Sequence, residues 1–159
     1  MRARIPMVAD RGLFIRIRDL GIRLAELEKA DYHPENLLGF DYDMICSQIP
    51  RNFHLSNSTH PFDEENEELV LTDGTEIIKV PCPTALQNLN ISGYDVVKNV
   101  WLKFNSYNFT HCDFTPHDAK KLLNFLNTLE THTRIVAEID NLMPLVLEDG
   151  MPLISPLED

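Results

Sequence analysis

At 159 residues, with 43% hydrophobic and 25% charged residues, the chain is long enough to bury a core without disulfide support. Its net charge of −11 argues against sequence-blind nucleic-acid binding by an isolated domain, because affinity for phosphates is driven by clustered cations that release counterions. No apolar run approaches the roughly 20 residues that span a bilayer, and MRARIPMVADRGLF lacks the apolar stretch of a signal peptide, so a cytoplasmic protein without a membrane partner is expected.

The charge is uneven. Residues 1–30 carry seven Arg and Lys against four Asp and Glu, a local balance of +3 that leaves −14 for the rest. In this stretch Asp10 is placed to cap a helix over about 11–29, with Leu13, Phe14, Ile17, Leu20, Leu24 and Leu27 as its buried stripe. The arginines on its flanks fit a solvated face better than a phosphate-tracking one, since Asp19, Glu26 and Glu28 dilute the field.

Residues 31–68 show weak periodicity and several turn formers, and DEENEE at 63–68 reads as an exposed acidic loop. It lacks the ligand alternation and the glycine bend of a calcium loop. Two β-favouring runs, 69–72 and 76–80, flank Asp73-Gly74 and predict a hairpin with a tight turn, ended by Pro81 and Pro83. In ISGYDVVKNVWLKF, residues 91–104, Ser92 and Asp95 fit a capping-box-like start. A helix over about 93–104 follows, with Val96, Val97, Val100, Trp101 and Phe104 on its apolar face and Trp101 as a core anchor.

Thr115 as cap, Pro116 at the first helical position and Asp118 three residues after the cap predict a long helix over about 116–142. Its seam is Leu122, Leu126, Leu129, Val136 and Met143, widened by Phe125 and Ile139. The last residues, 144–159, hold three prolines and a glycine and are expected to form an irregular tail. The expected fold class is α+β: a helical scaffold with a long C-terminal helix and a small antiparallel β element, in a single domain over 1–159.

No phosphate-cradling GxxxxGK[ST] loop, no GxGxxG, no HExxH and no GxSxG occurs. His111, Cys112, Asp113 and His117 crowd one loop, but a metal site needs further ligands at compatible spacing, so no metal is expected. Cys46, Cys82 and Cys112 are too scattered for a disulfide framework and read as reduced. No nucleophile–base pair stands out, and no catalytic residue is nominated.

Two blocks nevertheless resemble a known family. ARIPMVADRGLFIRIRDLGIRLAELE, residues 3–28, is similar to a segment late in the Type ISP-like restriction-modification enzymes, matching at Arg4-Ile5-Pro6, Leu13-Phe14, Leu20-Gly21 and Leu24-Ala25. Residues 91–104 and 114–140 resemble the C-terminal stretch of the same family, at Gly93-Tyr94, Trp101-Leu102-Lys103 and Glu138-Ile139-Asp140. The blocks together cover about 65 residues in matching order. The resemblance implies a non-catalytic DNA target-recognition module of an adenine-specific DNA methyltransferase, as a C-terminal fragment or a separately encoded piece.

Double-stranded DNA would be engaged in the context of the parent enzyme and its methyltransferase and helicase modules. S-adenosylmethionine, ATP and magnesium are expected only there, since the Asn-Pro-Pro-Tyr motif and the nucleotide loop are both missing here. Where the family continues Trp-Leu-Lys with a basic run, this chain has Phe104-Asn105-Ser106-Tyr107-Asn108, which leaves Asn105, Tyr107 and Asn108 as neutral candidates for base-edge hydrogen bonds or as plain loop residues. Phosphate contacts are expected from Arg51, Lys79, Lys98 and Lys103. The alternative is an acidic assembly domain that docks to a methyltransferase or helicase subunit.

Overall fold

Asp10 and Thr115, the two residues placed to open the major helices, both do so. Oδ1 of Asp10 accepts from the backbone N–H groups of Gly12 and Leu13 at 2.8 and 3.2 Å. The hydroxyl of Thr115 accepts from the N–H of Asp118 at 3.3 Å, while the Asp118 carboxylate accepts from the N–H of Thr115 at 2.9 Å. This reciprocal arrangement satisfies orphan donors of the first turn from both directions.

The structure, a computed structural model, describes residues 6–8, 10–29, 31–56, 61–103 and 112–152, with side chains for all of these except 6–8, 100–103 and 146–152. In chain order the elements are β1 (Pro6–Val8), α1 (Arg11–Glu26), α2 (Tyr42–Ser47), β2 (Phe62–Asp63), β3 (Glu68–Thr72) and β4 (Ile77–Pro81). There follow α3 (Thr84–Gln87), β5 (Asn90–Ile91), β6 (Tyr94–Asp95), α4 (Val96–Lys103), α5 (Pro116–Asp149) and β7 (Gly150–Pro152). The fold is α+β, with a long C-terminal helix and small antiparallel sheets ordered β1-β7, β2-β3-β4 and β5-β6. The chain groups into two compact units, Met1–Pro34 with Thr131–Asp159, and Glu35–Glu130. Among the described residues no helix is long and apolar enough to cross a membrane.

The first unit is built on α1 and the distal part of α5. Leu20, Ile135 and Leu142 are buried together, with Leu13, Ile17, Leu24, Leu27 and Ile139 packed against them. The predicted α1 stripe is therefore the core stripe, with one correction: Phe14 is 51% exposed. Successive helical residues are turned by about 100°, so with Leu13 facing inward its neighbour faces out. The helix stops at Glu26 because Leu27, Glu28 and Lys29 donate to carbonyls three residues back, the tighter 3₁₀ pattern.

α5 continues past the expected end near 142, through Pro144 to Asp149, so the first part of the predicted irregular tail is helical. Proline has no N–H to give the carbonyl four residues earlier, but Leu142, buried to 5%, anchors the turn just before it. With Leu142 inward, Met143, expected in the seam, is instead 37% exposed. β7 then pairs with β1 through Pro6↔Pro152, Met7↔Met151 and Val8↔Gly150, a contact between the two ends of the chain that periodicity gives no hint of.

The second unit has the larger core. β3 and β4 alternate as a half-buried hairpin should: Leu69 and Leu71 pair with Val80 and Ile78 on the buried face, while Ile77, Lys79 and Pro81 face out. Phe53, Phe114 and Leu86 are buried with this face, and α5 adds Ala119, Leu123, Leu126 and Leu129. Val97 brings α4 into the same core, while the side chain of Trp101 lies outside the described residues.

Two turns differ from expectation. Thr72 pairs with Ile77, so the β3–β4 loop has four residues, Asp73 to Glu76, rather than a two-residue Asp-Gly turn. The Asp73 carboxylate accepts from the N–H groups of Thr75 and Glu76 at 2.9 and 2.7 Å, which stabilises the wider loop. Ser92 is not a helix cap. Ile91 pairs with Tyr94, and Ser92 and Gly93 form a two-residue turn with φ of 53° and 87°. Such a turn needs positive φ at both positions, which glycine accepts without strain. Asn90 fixes it by accepting from the Gly93 N–H at 2.9 Å.

The bonds that Asp73 accepts hold its carboxyl below the usual carboxylate range. A folded value below the unfolded one stabilises the fold above the unfolded value, about 4, and the effect is lost as pH falls through the folded value. Asp73→Asn should therefore flatten the acid limb of stability below about pH 4, read as urea midpoints across a pH series.

Candidate nucleic-acid interface

The acidic stretch 63–68 forms a hairpin rather than a featureless loop. Asp63 pairs with Glu68 across four exposed residues, with Glu67 at φ 54°. Asp63 accepts from the side chain of Asn66 at 2.8 Å and from its N–H at 2.9 Å, and these bonds hold its carboxyl below the usual range. From below, fully buried Gln87 donates through Nε2 to the carbonyls of Asp63 and Cys82, each at 2.9 Å. Thr84 donates to Glu67 Oε1 at 3.2 Å. The hairpin is thus held from its inner side, with Glu64 and Glu65 exposed at its turn.

Two of the predicted phosphate contacts converge on this hairpin. Lys79 Nζ is 3.8 Å from Glu68 Oε2. Lys98 Nζ donates to Asn88 Oδ1 at 3.0 Å, lies 3.9 Å from Glu64 Oε1 and stands 5.9 Å from the centre of the Phe62 ring. A phosphate reaching either lysine must compete with a carboxylate already beside it. Arg51 is exposed in the turn after α2 and makes no ion pair among the described residues. Lys103 ends α4, but its side chain lies outside the described residues, as do Asn105, Tyr107 and Asn108 altogether.

One pairing escaped the sequence. His54 Nε2 lies 2.7 Å from Asp113 Oδ1, beside a backbone bond from Phe114 N–H to the Phe53 carbonyl at 2.7 Å. The crowding of His and Asp near 111–117 is visible in sequence, but the partner lies 59 residues away. Both side chains are nearly half exposed, at 46% and 49%, so solvent screens the pair. It ties two segments together at the surface. Among the described residues no three His, Cys, Asp or Glu side chains gather as a metal ion would require.

The cysteines sort by environment. Burial pushes the Cys82 thiol up to about 12, with Glu67 adding to the effect. Partial burial and Asp43 also raise Cys46, whereas Cys112 is exposed. The thiolate is the nucleophile that attacks a disulfide reagent and displaces its leaving thiolate. At neutral pH Cys112 should therefore react first, Cys46 slowly and Cys82 only on unfolding, an order that mass spectrometry of labelled peptides would read directly.

Compared with protein-family models, with curated proteins and with solved structures, the chain matches none.

Proposed function

We propose that this chain is a non-catalytic DNA target-recognition module of a restriction-modification type DNA methyltransferase, reading sequence in the cytoplasm for catalytic modules carried outside residues 1–159. The observation that supports it is the convergence of the segments that resemble the Type ISP-like enzymes. Within blocks 3–28 and 114–140, Leu20 and Ile135 are buried in one core and Arg16 Nη2 lies 3.2 Å from Glu138 Oε1. Similar segments, far apart in sequence, that pack on each other behave as one frame rather than as scattered short coincidences. S-adenosylmethionine, ATP and magnesium belong in this reading to the parent enzyme's other modules.

The test is a gel shift at low salt with methylatable duplexes, with and without the catalytic chain. A sequence-dependent shift in the presence of the catalytic chain is expected. Arg51→Ala should weaken binding to every sequence and flatten the salt dependence by about one unit. Lys79→Ala and Lys98→Ala should flatten it less, because Glu68 and Glu64 lie beside those lysines and compete with a phosphate. Absence of any shift with both chains present would remove the reading.

A second reading, an acidic assembly domain that docks to a methyltransferase or helicase subunit, is favoured by the hairpin's charge, since the five carboxylates of residues 63–68 outnumber Lys79 and Lys98 beside them. It predicts a stable complex with such a subunit and no DNA affinity at low salt.

A further inference from the structure

On α1, Arg11, Phe14, Arg18 and Ile22 follow one another at steps of three, four and four residues and form a single line along the helix. The line runs on the side away from the packed Leu13, Ile17, Leu20 and Leu24. Phe14 and Ile22 are 51% and 52% exposed. Arg18 Nη2 lies 3.1 Å from Asp19 Oδ1, an exposed neighbour pair of the kind that exchanges partners at little cost. Gly21 stands beside Ile22 in mid-helix, and a Cβ built there would meet nothing within 4 Å. Glycine inside a helix is less stable than alanine, and no packing among the described residues calls for it.

We propose that this face of α1 docks an acidic amphipathic helix of a partner protein. Apolar side chains of the partner settle against Phe14 and Ile22, its carboxylates face Arg11 and Arg18, and the space at Gly21 lets its backbone come close. Charge complementarity selects the occupant: the line carries two arginines within a 30-residue segment of net charge +3, on a chain of −11. A second copy meeting the same face by two-fold symmetry would put two further arginines into the one interface, adding like charge to like. A duplex would use the arginines and leave the two large apolar side chains against sugar and phosphate. An anionic bilayer takes up a helix with a broad apolar face, and here the exposed apolar surface is two side chains. None of the residues assigned to DNA lies on α1, so docking at this face is independent of that role.

The probe is a fluorescein-labelled synthetic helical peptide with leucines at steps of three, four and four residues and glutamates on both flanks, titrated with the full chain by anisotropy. Saturable binding that weakens with salt is expected. Phe14→Ser with Ile22→Ser, and separately Arg18→Glu, should each weaken it about tenfold or more. A peptide with lysines in place of glutamates should bind Arg18→Glu better than it binds wild type. Gly21→Ala should raise Tm yet weaken the peptide, a pair of effects that loss of folding cannot produce. Failure of the wild type to bind, or equal binding by all four proteins, overturns the proposal. So does a result in which these substitutions reduce binding to duplex DNA or anionic vesicles and spare the peptide.

Discussion

Phe53→Ala should lower the unfolding free energy by about 3–5 kcal/mol, as truncation of a fully buried phenylalanine does when its cavity cannot collapse. Phe53 has no exposed surface, and its ring meets that of Phe114 edge-on, 6.3 Å between centroids and 65° between planes. Its carbonyl also accepts the Phe114 N–H, so the ring sits where two distant segments are already tied. Relaxation into the gap is limited because Leu86, Leu123 and Leu126 around this core are themselves fully buried. Phe14→Ala is the internal control: removing a ring that is half exposed should change stability by no more than about 0.5 kcal/mol. Urea unfolding followed by far-UV circular dichroism measures both. A loss below about 1.5 kcal/mol for Phe53→Ala would mean that this core is not close-packed.

The second large effect is polar. Asn127 has no exposed surface although it lies on α5. Its Oδ1 accepts from the Leu38 N–H at 3.0 Å, and its Nδ2 donates to Asn36 Oδ1 at 3.0 Å and to the Tyr42 hydroxyl at 2.9 Å. One amide thus pins the segment between Asn36 and Tyr42 to the long helix. Replacement by leucine is nearly isosteric, so packing is kept while the bonds go. Asn36 Oδ1 still accepts from Phe40 N–H, and the Tyr42 hydroxyl still donates to Asn124 Oδ1. The Leu38 N–H loses the amide that accepts it. One orphaned donor and two weakened acceptors together should cost about 2–4 kcal/mol. Asn124→Ala, which removes one bond to a half-buried hydroxyl, should cost about 1 kcal/mol. Equal losses for the two substitutions would show that the segment is not held through Asn127.

Features that depend on a few neighbouring residues were legible before any coordinates. Asp10 and the Thr115–Asp118 box open their helices as spacing predicts, because a cap needs only the N–H groups two or three residues on. The β3–β4 hairpin and the inward stripe of α1 were legible for the same reason, since period-two and period-3.6 patterns are local. The α+β class follows from those elements.

Tertiary structure decided what local spacing leaves degenerate. Ser92 and Asp95 suit a capping box and a hairpin equally, and pairing of Ile91 with Tyr94 selects the hairpin. Leu13 and Phe14 compete for one inward position, and packing with Ile135 and Leu142 admits Leu13. Lys79 and Lys98 look like solvated cations in sequence, but the fold sets a carboxylate beside each. Asn127 reads as one more polar helix residue until Asn36, Leu38 and Tyr42 close around it. In each case the choice turns on burial and charge contributed by residues far away in the chain, which no window of neighbouring residues contains.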